Sequence, residues 1–183
     1  MKGAIEAIAA PVLTDARFAG RPLYSSEVVV RSDSPHRSFE DLRGKRWAVN
    51  EPSSWSGYWV VLEKVGAWSY FSEVVESGFH QRSLRLVADG EVDAAAIDSQ
   101  VLAVEQRDDP GLAQRLRVVA TLGPAPSQPV VVRSTLEEGV KAELQKRLLN
   151  LPTAMLRRFF WERLVSPPDY ARIAAVVGSD PRP

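Results

Sequence analysis

Two runs of the same kind, Val28-Val29-Val30-Arg31 and Val130-Val131-Val132-Arg133, constrain this chain more than any other feature. Consecutive β-branched residues favour extended backbone, so each reads as a strand. Between them, short apolar runs of strand length alternate with stretches of helical spacing. Trp47 to Val49 reads as a strand, Tyr58 to Val65 as a helix, Gln81 to Asp89 as a helix stopped by Gly90, and Val92 to Ile97 as a small-residue strand. Ser99 to Arg107 reads as a helix and Leu116 to Leu122 as a strand. Strands alternating with helices indicate an α/β lobe with a mainly parallel sheet. Two matching strands that bracket such a lobe suggest paired crossovers between two lobes.

The flanks read less cleanly. Residues 5–13 are apolar enough for a strand, closed by Pro11, and Leu23 to Arg31 forms the first crossover strand. Phe39 to Leu42 is one helical turn, and Gly66 to Phe71 is an aromatic segment that packs as core or turn. Gly123-Pro124-Ala125-Pro126-Ser127-Gln128-Pro129, with three prolines in seven residues, is the clearest linker. Beyond it, Thr135 to Leu151 reads as a helix capped by Ser134 or Thr135, with Glu137 and Glu138 in its first turn. Ala154 to Leu164 reads as a second helix, and Asp169 to Val177 as a closing one.

Chemistry concentrates in Glu51-Pro52-Ser53-Ser54-Trp55-Ser56-Gly57-Tyr58, a loop of small hydroxyl residues ending at a helix N-terminus. Unpaired backbone N–H groups and the positive end of the helix dipole suit an anion there. A serine in that position also serves as an ordinary N-cap, and the local chemistry leaves both readings open. His80, at the start of the next helix, is either a ligand group or a satisfied structural histidine. Asp98 ends a strand where ligands of α/β lobes sit, and it could equally cap the helix at Ser99. Tyr24 and Trp55 are candidate cleft walls or packing residues. Glu91 and Asp93 read as a solvated turn, Arg157, Arg158 and Arg163 as the wet face of a helix, and Trp47, Trp59, Trp68 and Trp161 as packing.

Composition removes several function classes. Lys plus Arg and Asp plus Glu both number 23, so nothing global draws the chain to nucleic acid or an acidic membrane surface. The absence of cysteine excludes disulfides and thiolate metal sites. His36 and His80 are the only histidines, too separated for a zinc site, and they offer no evident nucleophile–base pair. The segment Met1 to Pro11, interrupted by Glu6, lacks the form of a signal peptide, and no stretch reaches the roughly twenty apolar residues of a membrane span. The chain alone therefore reads as a soluble protein with no cofactor, no membrane insertion and no nucleic-acid partner.

Four pieces resemble the substrate-binding proteins of phosphate, phosphite and phosphonate ABC transporters, which have the type II periplasmic-binding-protein fold. They are Gly20 to Arg31, Ser38 to Tyr58, Gly78 to Ser99 (with His80, Ser83, Gly90-Glu91-Val92-Asp93-Ala94 and Asp98-Ser99) and, weakly, Asp169-Tyr170. The resemblance implies one complete α/β lobe plus an incomplete second lobe, the N-terminal half-lobe being absent. Residues 1–31 would be the remnant of lobe I and the first crossover, 32–124 lobe II, and 125–183 the return crossover and C-terminal helices of lobe I. It implies non-catalytic capture of a small oxyanion or zwitterion by Ser54, Trp55, Ser56, Gly57, His80, Asp98 and Tyr24 in an interlobe cleft. Closure would turn on strands near 28–31 and 129–132, with an ABC permease as partner and the periplasm as location. Trp55 stands where the family's loop has a hydroxyl residue. A ligand-sensing effector domain and a cofactor-precursor synthesis enzyme are the alternatives on the same fold.

Overall fold

The computed structural model describes residues 4–171 and Ile173, and in it the chain divides into two units. One runs from Ser25 to Pro124, and the other takes the chain up to Tyr24 and again from Ala125 to Ala171. Both borders fall inside strands: β2 (Leu23–Arg31), predicted with the same limits, and β6 (Leu116–Pro126). β6 therefore runs on through half of the proline-rich segment that reads as a linker.

The Ser25–Pro124 unit is built on a five-stranded sheet in the order β4-β3-β5-β2-β6. β3 (Arg46–Val49), β4 (Glu73–Glu76) and β5 (Ala94–Asp98) are parallel, as the strand–helix alternation requires. β2 joins β5 antiparallel, with Ser26 opposite Asp98 and Val30 opposite Ala94, so the sheet is mixed. Successive residues of β2 face opposite sides. Val28 and Val30 pack with Trp47, Val49, Phe39 and Val61, while Val29 packs with Ala48, Leu84, Val87 and Ile97. Burial on both faces explains why these strands read as continuous apolar runs rather than alternating ones. β4 escapes the sequence reading because it is a partly exposed edge strand with only two apolar residues, Val74 and Val75.

Helix α1 (Val60–Val65) covers one face, and α2 (His80–Asp89) and α3 (Ser99–Asp108) the other, with a further short helix α4 (Pro110–Gln114) after α3. Gly90, at φ 77°, ends α2 in the left-handed conformation that favours glycine. Two arginines close the same end. Arg46 donates to the carbonyls of Gly90 (3.0 Å) and Glu91 (2.7 Å) and pairs with Asp93. Arg115 donates to Ala88 O and Asp89 Oδ1, both at 2.6 Å.

The other unit has a three-stranded sheet, β7-β1-β8. β1 (Ile5–Leu13) pairs with β7 (Val130–Arg133) through Ile5 to Ala9 and with β8 (Trp161–Val165) through Ala10 to Leu13. Pro11 does not close the strand. It lies beyond the reach of β7, and its carbonyl accepts from Ser127 Oγ at 2.6 Å. Helix α5 (Glu138–Leu149) is tied to β1 by Lys141 Nζ to Glu6 (2.7 Å) and by Gln145 Nε2 to Ile8 O (2.7 Å). It begins later than the sequence suggests: Glu137 holds the cap position without a side-chain cap bond, and neither Ser134 nor Thr135 serves.

The helix expected from Ala154 to Leu164 is not formed. A short helix α6 (Thr153–Leu156) and a tight turn end at Phe160, whose φ is 57°, and the chain then enters β8. The open side of β1 supplies backbone partners that local periodicity cannot reveal, and pairing there overrides helical propensity. Arg163 accordingly lies on β8, donating to Gly20 O at 2.7 Å. The closing helix expected over 169–177 falls largely outside the described residues.

Leu84 is fully buried between α2 and the sheet. Leu84→Ala should cost about 2–5 kcal/mol in equilibrium urea denaturation, whereas Val131→Ala, at 43% exposure, should stay within about 0.5 kcal/mol.

Candidate functional site

Parallel strands β3, β4 and β5 end on the same side of their sheet, and the segments that follow them carry most of the unit's buried polar side chains. Asn50 follows β3, Ser77 follows β4, and Asp98 closes β5; together with Ser26 on β2 and Ser56 in the first loop, all are at most 6% exposed. Carboxyl ends of strands are where α/β sheets bind ligands.

The loop after β3 turns helical earlier than its sequence suggests. Ser54 Oγ accepts from Gly57 N (3.0 Å), and Ser54 O accepts from Tyr58 N and Trp59 N. Residues Trp55–Trp59 form a wide turn of π type that leads into α1, with Val60 N donating to Trp55 O. Such turns recur at functional sites. Ser54 is thus a true N-cap, one of its two expected roles. Ser56 is 3% exposed. Its carbonyl accepts from Ser26 Oγ (2.5 Å), and its hydroxyl lies 3.1 Å from His80 Nε2.

Gly57 is required by close approach. A Cβ there would lie 1.8 Å from Asn50 Oδ1 and 3.1 Å from His80 Cε1. Asn50 Oδ1 is buried and has no hydrogen-bond partner within the protein, which is uncommon for a buried polar atom and makes this point a candidate for ligand contact. Sequence reading missed Asn50; its signal was a polar residue placed directly at the end of a buried strand.

His80 opens α2, whose cap residue Phe79 makes no side-chain cap bond. Arg82 N and Ser83 N donate to Phe79 O, so the groups left without a side-chain cap are the N–H groups of His80 and Gln81 at the very start of α2. Burial pushes the His80 imidazole down to about 4, opposed in part by the Ala96 backbone. The ring is neutral at pH 7, so it offers hydrogen bonds rather than charge. The sequence offered no nucleophile–base pair, yet the fold brings Ser56 and His80 to hydrogen-bonding distance. The other contact on that ring comes from the Ala96 backbone, so main chain rather than an acid holds the imidazole.

The remaining expected residues separate into clear roles. Asp98 accepts from Gln100 N (2.7 Å) and Val101 N (3.2 Å), which makes it the cap of α3. Trp55 packs, partly buried, against the aromatic core around Trp47. Tyr24 lies in the other unit and is 3% exposed, a buried ring rather than an open wall. Glu27, not singled out by the sequence, is a buried acid that accepts from Ser25 Oγ and Thr121 Oγ1, each at 2.7 Å. Among the described residues no group of three His, Asp or Glu side chains is gathered for a metal, and no helix is long and apolar enough to cross a membrane. Hydroxyls, a neutral imidazole and an uncapped helix N-terminus can hold a small oxyanion through hydrogen bonds.

Comparison with known proteins gives the same direction. Residues 2–170 match the family model for the periplasmic substrate-binding protein of phosphonate ABC transporters. The phosphonates-binding periplasmic protein of Escherichia coli (strain K12) is 28% identical over 156 residues, covering 78% of this chain and 46% of that protein. The chain thus spans about half the length of this curated relative. The binding-protein component of a Pseudomonas aeruginosa ABC phosphonate transporter superposes with TM-score 0.80 at 23% identity, over 94% of this chain and 61% of that one. PhnD1 from Prochlorococcus marinus (MIT 9301), solved with methylphosphonate, gives TM-score 0.80 at 22% identity, over 96% and 71%. These two likenesses show the fold.

Two measurements check the geometry. Gly57→Ala should destabilise the chain by about 1–3 kcal/mol, and adding Asn50→Ala should recover part of that loss in a double-mutant cycle. His80 titrates near 6.5 when unfolded and near 4 when folded, so the unfolded chain binds more protons between those values. Its contribution to stability should be complete above pH 6.5 and decline from there toward pH 4, and His80→Gln should remove that part of the slope in pH-dependent denaturation.

Proposed function

Since the chain belongs to the family of periplasmic substrate-binding proteins of phosphonate ABC transporters, we propose that its Ser25–Pro124 unit captures a phosphonate or similar small oxyanion and releases it unchanged. The observation that carries this reading is the convergence of Ser56 Oγ, His80 Nε2 and the uncapped α2 N-terminus beside the unpartnered Asn50 Oδ1. The oxyanion would lie over the first turn of α2, accepting from its N–H groups and from the Ser56 hydroxyl. Ser54, its acceptor face engaged by Gly57 N, keeps its own proton for the same oxygen cluster. Asn50 Oδ1 would accept the proton of a singly ionised phosphonate, which favours a ligand that still carries one P–OH.

Neutral His80 means that recognition rests on hydrogen bonds and helix dipoles rather than on a counter-charge. Asp98 would act indirectly, by holding the first turn of α3. Gly57 would serve by letting Asn50 approach, and Trp55 by anchoring the loop on the core. Delivery to the permease of an ABC importer, on the periplasmic side, follows from the family's role.

Calorimetric titration with methylphosphonate, phosphate and sulfate tests the proposal. We expect heat with methylphosphonate and little with sulfate, which is fully ionised and carries no proton for Asn50. Ser56→Ala should weaken methylphosphonate binding roughly ten- to a hundredfold, as expected for one hydrogen bond to a charged group. Absence of a response to any phosphonate would sink the reading.

A further inference from the structure

Phe79 is the most exposed large apolar side chain among the described residues, at 71%. It is not a loose loop residue. Its carbonyl accepts from Arg82 N (3.1 Å), Ser83 N (3.0 Å), Ser77 Oγ (3.1 Å) and Ser83 Oγ (3.4 Å), so the backbone is fixed while the ring stands in water. It occupies the cap position of α2, where a residue with a side-chain acceptor would satisfy the free N–H groups, and it makes no such bond. Arg82 is equally out of place. It is exposed in the first turn of α2, which has no acidic residue, although the helix dipole disfavours a cation there. Both anomalies sit at the helix end that faces the anion in the proposal above, with His80 between them.

The chemistry follows from this order. An oxyanion over the α2 N-terminus directs whatever it carries away from the N–H groups, past the residue at the cap. A fixed, solvated aromatic ring at that residue gains by covering a flat apolar group, and it loses little conformational freedom in doing so. A cation in the same turn raises the local positive potential and draws the anion in. Trp55 supports the same preference from the other helical segment: it precedes Ser56 as Phe79 precedes His80, it is only partly buried, and the 3.1 Å Ser56–His80 contact joins the two segments.

We propose that Phe79 is a specificity-determining residue of this site, packing on the organic substituent of the ligand, and that the preferred ligand class is a phosphonate bearing an aromatic or broad apolar group. This rests on the anion reading of the same site.

Titration of the chain with phenylphosphonate and methylphosphonate separates the two claims. Phenylphosphonate should bind about three- to tenfold more tightly than methylphosphonate, the range expected for one aromatic pair. Phe79→Ala should bring the two affinities within about twofold of each other by weakening only the phenyl compound, and Phe79→Tyr should retain the preference. An unchanged unfolding temperature for Phe79→Ala confirms that the variant is folded. The inference is overturned if the phenyl compound binds no more tightly than the methyl one, or if Phe79→Ala weakens both equally or neither, as for a structural residue or one that meets a partner protein. If methylphosphonate itself does not bind, the anion reading falls and takes this inference with it.

Discussion

Helix α2 is fixed at both ends by different physics, and the candidate site depends on that. Burial sets its position across the sheet: Leu84 and Val87 are fully enclosed, each contributing roughly 1.5–3 kcal/mol. Arg46 and Arg115 act at the far end, gripping the carbonyls of Ala88, Gly90 and Glu91. Cations at a helix C-terminus give only about 0.3–1 kcal/mol each, so they do not decide whether the helix packs. They decide where along its axis it stops. A helix held at its last turn cannot slide, and contacts from Ser77 to Phe79 O and Ser83 Oγ fix the first turn that presents His80 to Ser56.

What forms on that front end is a site with little net charge of its own. Ser54 and Asp98 each cap a helix, and His80 is neutral, so the acceptors and donors that remain are hydroxyls, backbone N–H groups and one amide. Such a set discriminates by the number and direction of protons on a ligand more than by its total charge.

The sequence made much of the fold legible, and for a definite reason. In the Ser25–Pro124 unit, β5 and the apolar stretches of β2 and β3 are buried on both faces, which single-sequence patterning detects well. Leu23–Arg31 is the clearest example. Failures cluster where a distant partner decides. Trp161–Val165 is a strand because β1 has an open side, and Glu73–Glu76 because β3 does; nothing local says so. In the candidate site, Ser56 and His80 were legible, since small hydroxyls before a helix carry their own logic. Asn50 was not, because its role comes from approaching Gly57 in space, and nothing in the sequence sets Phe79 apart until its exposure is known.

Strand β2 carries two polar systems on opposite faces, one residue apart. Ser26 turns toward Ser56, while Ser25 Oγ donates to Glu27, which also accepts from Thr121 on the other face. Side-chain direction in a strand has a period of two, so a slip by one residue would send Glu27 into the face of Ser56 and Ser26 into the face of Glu27. The valines beyond would exchange faces as well, and the slip would bring Glu27 into the Val28 position or Arg31 into the Val30 position, both fully buried. The three valines alone would not choose a register, and the charged residues at either end of them, with the serines beyond Glu27, are what give the strand one. In a lineage of such proteins, β2 should keep its length, because a single-residue insertion or deletion would bury a charge at one end of the valines and misplace both polar systems at the other.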